Sequence, residues 1–107
     1  MGYRSDGKLA IKKTDLVKAE LLLSIPTPSL LGECELEESD GIYFYSYVAL
    51  KMYDSYPEVE EFQNWLNTLK DKEIPYEYIR LGESYDDVEK QGDVLDYMYV
   101  HRSIERF

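Results

Sequence analysis

The sequence predicts an α+β fold, a ferredoxin-like β-α-β-β-α-β sandwich with an added C-terminal strand. The stretch 41–53 is long, rich in aromatic and β-branched residues and free of Pro, which is typical of a central strand. Apolar residues recur at helical spacing over 57–70, and shorter alternating segments lie before and after these two elements. Such a fold has an antiparallel sheet with two helices on one face. At 107 residues, the chain 1–107 is expected to form a single α+β domain.

The first part of the chain predicts a short strand followed by a helix. The segment KLAIKK alternates, with Leu9 and Ile11 expected to face inward. Thr14 is suited to cap a helix that runs to about residue 24. Pro26 follows, and it cannot continue that helix.

A second strand is predicted over 33–39, followed by a tight turn at Ser-Asp-Gly. The length of that turn decides the register of the hairpin. A two-residue loop would pair Leu36 with Tyr45, whereas a three-residue loop would pair Leu36 with Phe44. We favour the three-residue loop, because it places the apolar residues of both strands on one face.

Side chains alternate between the two sides of the long strand 41–53. Phe44 and Val48 are expected to face the core below the helices, whereas the tyrosines of this strand face the opposite side. A strand over 76–82 has the same arrangement, with Ile79 facing the core. The open side of the sheet would then carry a row of tyrosines: Tyr43, Tyr45, Tyr47, Tyr76, Tyr78, Tyr97 and Tyr99.

An acidic loop over 83–93 and a last strand over 94–104 complete the prediction. The acidic residues of the loop are Glu83, Asp86, Asp87, Glu89 and Asp93. Carboxylates can coordinate a divalent cation, but the loop lacks the spacing and central Gly of a calcium loop, so no metal site is predicted. The loop is either a solvated connection or a surface that presents phosphate-like charge to a basic partner.

The net charge of −10 is distributed unevenly. Residues 1–30 carry five basic against three acidic residues, and the remainder carries seven against nineteen. This excess argues against anionic membranes and nucleic-acid phosphates as direct partners, and it suits a basic partner. The chain has no run near the ~20 apolar residues of a membrane span and no apolar N-terminal signal.

No enzymatic activity and no cofactor are predicted. The chain has one His, His101, and one Cys, Cys34, and neither lies in a motif for nucleophilic catalysis. The glycines are isolated, so no phosphate-binding loop is present. A single Cys excludes an intrachain disulfide and is compatible with a reducing cytoplasm.

The tyrosine row has three interpretations. Tyrosine dominates protein interfaces, so the row is a candidate surface for a partner or for self-association. Open sheet faces with aromatic residues also stack bases or nucleotides. Direct nucleic-acid binding is disfavoured, because few basic residues accompany the tyrosines. The third interpretation is structural: the added strand, the N-terminus or the connection 24–32 covers the rings.

Three segments together resemble a group of small bacteriophage proteins to which no activity is assigned: MGYRSD at the start, KMYDSYPEVEEF at 51–62 and IRLGESYDDVEKQGD at 79–93. Those proteins open MGYRS and carry segments similar to WYDSYPEV and IRIGEDYDDIE. Met52 stands where the group has Trp, Ser84 stands where it has Glu or Asp, and 14–40 is not covered. The resemblance implies a phage origin and the host cytoplasm.

Small acidic phage proteins without an enzyme motif are similar in size and charge to anti-CRISPR and anti-restriction proteins, which commonly bind a basic surface. The first hypothesis is therefore a phage-encoded, non-enzymatic inhibitor of a host defence system that binds a basic nucleic-acid-handling surface. Acidic residues at 33–38 and 83–93 would steer association, and the tyrosines would anchor it. The predicted partner-binding residues are the seven tyrosines of the row with Arg80, Glu83, Asp86, Asp87, Glu89 and Asp93.

Two alternatives stay open. One is a protein that binds or sequesters a nucleotide or signalling molecule on the tyrosine row, with Arg80 and His101 near its edge. The other is a homodimeric phage accessory protein joined through its tyrosine faces.

Overall fold

The computed structural model of the protein describes residues 4–51, 56–83 and 87–92 with their side chains, and 98–100 and 104–106 as backbone. Within these ranges the chain is an α+β protein with a five-stranded antiparallel sheet and two α-helices, which confirms the predicted fold class. In chain order, the elements are β1 (Ser5–Lys12), α1 (Lys13–Val17) continued by a π-helical turn (Lys18–Leu22), a 3-10 helix (Ser29–Glu33), β2 (Glu35–Ser39), β3 (Ile42–Leu50), α2 (Pro57–Asp71), β4 (Glu77–Leu81), β5 (Val88–Gly92), β6 (Met98–Val100) and β7 (Ile104–Arg106).

The large sheet has the strand order β2-β3-β1-β4-β5, and each neighbouring pair is antiparallel. The prediction that all of 83–93 is a loop is wrong, because its second half forms the edge strand β5. The opposite charges of Arg80 and Glu89 face each other across β4 and β5, which favours this pairing. A single last strand over 94–104 is also wrong: β6 and β7 pair antiparallel, so the chain reverses between them.

The hairpin between β2 and β3 has a two-residue loop. Ser39 pairs with Ile42, and Leu36 pairs with Tyr45, so the predicted three-residue loop is wrong. Asp40 and Gly41 have φ values of 54° and 78°. Two consecutive positive φ values match the twist of the flanking strands, and Asp-Gly is a sequence that adopts them readily.

Helix α2 covers the side of the sheet that carries the tyrosines. The prediction of an open face is therefore wrong for Tyr47, Tyr76 and Tyr78, which belong to the main hydrophobic core. Tyr43 and Tyr45 pack at its margin, and the side chains of Tyr97 and Tyr99 lie outside the described residues. The buried members of this core are Leu9, Ile11, Leu16, Ala19, Ile25, Leu30, Leu31, Tyr47, Phe62, Trp65, Leu66, Leu69, Ile74, Tyr76 and Tyr78. Residues from the first helical segment and from α2 thus share one core with the tyrosine rings.

The register of β1 explains why the tyrosines face the core. Leu9 lies directly opposite Tyr45 on one side and Tyr78 on the other, and directly opposed residues project to the same face. The prediction that Leu9 faces inward is confirmed, and the tyrosines beside it therefore face inward too. Gly7, opposite Tyr47, leaves room for that ring, since a Cβ at Gly7 would lie 2.2 Å from Tyr47 Cζ.

The opposite face of the sheet carries a smaller apolar cluster. Its buried members are Ala10, Phe44 and Ile79, with Ile42 and Leu81 packed against them. The end of β3 departs from this alternation. Val48 is 75% exposed, and Ala49 has a φ of 56° where the register between β1 and β3 shifts. The prediction that Phe44 and Val48 face the core below the helices is therefore wrong, because Phe44 belongs to the cluster on the opposite face and Val48 is exposed beside the β-bulge.

The first helical segment ends as predicted, within two residues of residue 24. Ser24 has a φ of 55°, and the Ile25 N–H donates to the Ala19 carbonyl at 2.9 Å, which closes the last turn. The second predicted helix is also confirmed, as Pro57–Asp71. No helix in the described ranges has the length and apolar character needed to cross a membrane.

Candidate functional site

A tyrosine pair lies at the centre of the core. The hydroxyl oxygens of Tyr47 and Tyr78 are 2.6 Å apart, and the Tyr78 ring meets Phe62 of α2 edge to face with centroids separated by 5.2 Å. Burial raises the pKa of Tyr47 to about 12, although the hydrogen bond from Tyr78 and the charge of Arg80 oppose this rise. Burial also raises the pKa of Tyr78, and the neighbouring Tyr47 adds to the rise. Both residues are neutral phenols at ordinary pH.

Three residues of the predicted interface are thus structural in this fold. Tyr47, Tyr76 and Tyr78 are buried beneath α2, so a partner cannot contact their rings while the helix is in place. The same cover removes the open aromatic face that a nucleotide site on the tyrosine row would need.

Tyr43 and Tyr45 lie at the margin of the core, where β3 meets β2, and are half-buried. Their rings meet edge to face with centroids 6.1 Å apart, and the Lys13 ammonium lies 5.9 Å from the centroid of Tyr43. Burial is the main cause that raises the pKa of Tyr45, followed by the nearby Tyr43, Glu20 and Cys34. Among the predicted interface tyrosines whose side chains are described, Tyr43 and Tyr45 are the two that reach the surface.

Arg80 joins two predicted acidic residues in an intramolecular cluster. Its guanidinium donates to Asp87 Oδ1 at 3.0 Å, to Glu89 Oε1 at 3.3 Å and to Ser5 Oγ at 3.0 Å. The Arg80 side chain is 18% exposed, and the two carboxylates raise its pKa against the effect of burial. The negative charges of Asp87 and Glu89 are therefore partly compensated by Arg80 within the protein, which disfavours the predicted use of this loop as one acidic surface.

Of the other predicted partner-binding residues in or near the loop, some are described by the structure and some are not. Glu83 is exposed, and its carboxylate accepts a hydrogen bond from the Arg4 backbone N–H at 2.8 Å. Asp86, Asp93, Tyr97 and His101 lie outside the described residues, and Tyr99 lies on β6, of which only the backbone is described.

The outer edge of the sheet at β2 is the acidic edge: Glu33, Glu35, Glu37 and Glu38, all exposed. In the described part of the chain no strand pairs with the outer side of β2. Leu36, in the middle of this edge, is 53% exposed. A depression of about 250 Å³ at the start of this edge is lined by Glu33, Glu35, Ser46, Tyr47, Val48 and Leu50. Apolar surface and negative charge are therefore adjacent here.

A second depression, the α2 groove, was not foreseen from the sequence. It has a volume of about 490 Å³ and is lined by Ile25, Pro26, Pro57, Glu60, Glu61, Asn64, Trp65 and Thr68. The helical spacing of apolar residues in α2 correctly places Glu60, Glu61 and Asn64 away from the core. That spacing cannot reveal that the segment at Ile25 packs beside them. The only signal in the sequence is the pair of prolines that brings the chain back after α1.

Cys34 is poorly suited to nucleophilic chemistry. Its thiol donates to the Leu30 carbonyl at 3.4 Å, and burial, with a smaller effect of Glu33, raises its pKa to about 11. A thiol with so high a pKa supplies little thiolate at neutral pH. Across the described residues, no group of three or more His, Cys, Asp or Glu side chains is placed to hold a metal ion.

Two described surfaces thus combine solvent access, negative charge and apolar area, namely the acidic edge and the α2 groove. Their side chains are those of a surface that binds cations or basic protein segments. Comparison of the chain with protein-family models, with curated proteins and with solved structures finds no significant match.

Proposed function

We propose that the protein is a phage-encoded, non-enzymatic inhibitor of a host defence system, of the anti-CRISPR or anti-restriction type, that acts in the host cytoplasm. It binds a basic, nucleic-acid-handling surface of a host protein or ribonucleoprotein and blocks access to it. The observation that carries the proposal is the acidic edge, where four exposed glutamates flank an exposed leucine along one unpaired side of the described sheet.

Charge supports the choice of partner. The chain carries a net charge of −10, so its field attracts basic surfaces and repels phosphates. Glu35 and Glu37 are two residues apart in β2, which places both on one face of the strand roughly 7 Å apart, and Glu33 lies just before the strand. Of the described cations, Lys13 reaches this edge through a 3.8 Å contact with Glu38, and both of those side chains are about half exposed. An exposed pair of this kind does little to neutralise the edge.

Apolar area beside the charges supports a specific complex. Leu36 lies opposite Tyr45, and Tyr45 and Tyr43 are half-buried at the same margin. Interfaces draw most of their affinity from a few apolar or aromatic anchors surrounded by polar residues. In the proposed complex these three side chains are the anchors, and the glutamates determine association rate and orientation.

We also infer that the fold is a ferredoxin-like sandwich. The order β4-β1-β3-β2 with antiparallel neighbours is that of a split β-α-β arrangement, and β5 is the added strand in place of the predicted C-terminal one. The shared core of Leu16 and Ala19 with the α2 residues supports the placement of both helices on one face.

A plaque assay tests the function. A bacterial strain with a defined CRISPR or restriction system expresses the protein and is then infected with a phage that the system targets. We expect the wild-type protein to restore plaques, and the variant Glu33→Gln/Glu35→Gln/Glu38→Gln to lose most of this effect.

The matched control is Glu58→Gln/Asp71→Asn/Glu73→Gln, which removes the same charge from other exposed positions. It should retain the effect. Equal loss in both variants, or full activity of the edge variant, would contradict a role for the acidic edge. Failure to relieve any system of either type would contradict the proposed function.

A further inference from the structure

The α2 groove is chemically suited to a cation. Its walls are the apolar side chains of Ile25, Pro26, Pro57 and Trp65, and its polar lining consists of Glu60, Glu61, Asn64 and Thr68. Among the residues that the structure describes, no Lys or Arg belongs to this lining. A phosphate or carboxylate ligand would therefore be repelled by the two glutamates of the described lining, whereas a cation would be attracted by both. Its volume of about 490 Å³ is within the range of small-molecule and side-chain sites.

One of the two carboxylates is already held in position. Glu61 Oε1 accepts hydrogen bonds from the Ser29 backbone N–H at 2.7 Å and from the Ser29 hydroxyl at 2.8 Å. These bonds lower the pKa of Glu61, so the group is charged at neutral pH. A ligand that binds here does not have to order this side chain first, which reduces the entropy cost of binding.

The shape of the groove favours a flat cation with an apolar stem. The ridge formed by Pro57, Glu61, Asn64 and Thr68 on α2 faces the segment at Ile25 and Pro26. A guanidinium group is planar, is weakly hydrated, lies flat against rings and donates two parallel hydrogen bonds to a carboxylate. An ammonium group is a compact, strongly hydrated point charge and gains less from apolar walls.

We propose that the α2 groove binds an arginine side chain within an exposed basic segment of the partner protein. The guanidinium pairs with Glu60 and Glu61, and its aliphatic stem lies against Pro57 and Trp65. This inference rests on the proposed function in one respect, because the arginine belongs to the basic partner that the acidic edge also attracts. The groove supplies a second point of contact, which would make the orientation of the complex unique.

Binding is tested with short peptides and the isolated protein. The probes are acetyl-Gly-Arg-Gly-amide, its lysine analogue and its citrulline analogue, which keeps the shape of arginine without the charge. Titrations are followed by the NMR signals of the Trp65 indole N–H and the Asn64 side-chain amide. We expect saturable shifts at these positions with arginine, and affinity several-fold weaker with lysine and with citrulline.

Variants separate the groove from the overall negative charge. Glu60→Gln and Glu61→Gln each remove one lining carboxylate, and the new amide at position 61 can still accept the bonds from Ser29. Each should weaken arginine binding about two- to five-fold, as expected for one exposed ion pair. Glu58→Gln lies on the same helix outside the lining and has the same charge change, so it should leave the affinity unchanged.

Three outcomes would overturn the inference: no saturable shift with the arginine peptide, equal affinity for the citrulline or lysine analogue, or equal weakening by Glu58→Gln. The peptide assay contains no host protein, so a negative result there refutes the groove and leaves the plaque result intact. Peptide binding together with a negative plaque assay would instead refute the inhibitor function and retain the arginine site.

Discussion

The tyrosine core and the acidic edge lie next to each other in the sheet, yet they differ in burial and in where their polar groups find partners. The hydroxyls of Tyr47 and Tyr78 satisfy each other at 2.6 Å beneath α2, whereas the glutamates of β2 project into solvent. A polar group that finds its partner inside the protein contributes to stability, and one that stays exposed is available to another molecule. Residue type alone would have placed both groups at the partner interface.

The two outer strands of the sheet show the same contrast among residues of one charge. On β5 and just before it, Glu89 and Asp87 both pair with the partly buried Arg80, which compensates part of their charge. On β2, at the opposite edge, Lys13 lies 3.8 Å from Glu38, at the limit of an ion pair, and both side chains are about half exposed. An acidic segment therefore supports binding only where the fold does not supply an internal cation.

The largest expected effect comes from filling the space beside Tyr47. Gly7→Ala would place a Cβ 2.2 Å from Tyr47 Cζ, so the ring or the strand must shift. We expect a loss of about 3 kcal/mol in the free energy of unfolding, measured by urea denaturation. Gly32→Ala is the control, because nothing lies within 4 Å of its Cβ position. Similar stability of the two variants would mean that the tyrosine region is not close-packed.

Alkaline pH should destabilise the core selectively. The pKa of Tyr47 rises from 10.0 in the absence of burial to about 12 in the folded protein. Below the lower value the phenol is protonated in both states and its contribution to stability is complete. Between the two values the unfolded chain releases the proton and the folded protein retains it, so stability falls as pH rises, by about 3 kcal/mol for this residue.

Urea denaturation across this alkaline range measures the fall. The double variant Tyr47→Phe/Tyr78→Phe lacks both buried phenols and should lose much less stability over the same range. An equal fall in the double variant would assign the alkaline sensitivity to other groups.

Removal of one hydroxyl of the Tyr47–Tyr78 pair should destabilise the fold by more than half of the loss caused by removing both. Tyr78→Phe leaves the buried Tyr47 hydroxyl without its partner, which should lower the free energy of unfolding by about 1–2 kcal/mol. The double variant removes both hydroxyls and should cost less than the sum of the two single changes. Additive costs, measured by the same denaturation experiment, would show that the two hydroxyls do not depend on each other.

The smallest effects should distinguish the two outer strands. Asp87→Asn/Glu89→Gln removes both carboxylates from Arg80 and should destabilise the fold by about 1 kcal/mol. Glu33→Gln/Glu35→Gln removes the same charge at the other edge and should change stability by less than about 0.5 kcal/mol. An equal loss of stability in the two double variants would contradict the view that the carboxylates beside β5 are structural and those beside β2 are not.

Much of the fold follows from short-range patterns. The alternation of KLAIKK, the apolar spacing of α2 and the Asp-Gly turn predict the first elements in their correct order and with nearly correct bounds. The inward direction of Leu9 was also predictable. The direction of the tyrosines was not, because both sides of β3 are apolar enough to form a core, and the choice depends on register with β1, a strand more than thirty residues earlier in the chain.

The candidate surfaces were predictable to different degrees. The exposed glutamates of β2 follow from their charge and from the strand pattern. The α2 groove could not be foreseen, since it exists only because the segment at Ile25 packs beside α2. The pairing of Asp87 and Glu89 with Arg80 likewise depends on the register of β4 with β5, which cannot be read from composition.

Local chemistry was thus sufficient for the order of helices and strands up to β4 and for the acidic character of the molecule, because both depend on residues that are close together in the chain. The partners of the tyrosines, the position of the acidic edge and the groove depend on contacts between distant segments. Burial and strand register set those contacts, and each one-residue change of register exchanges the two faces of a strand. That is why one group of tyrosines became core while its acidic neighbours remained at the surface.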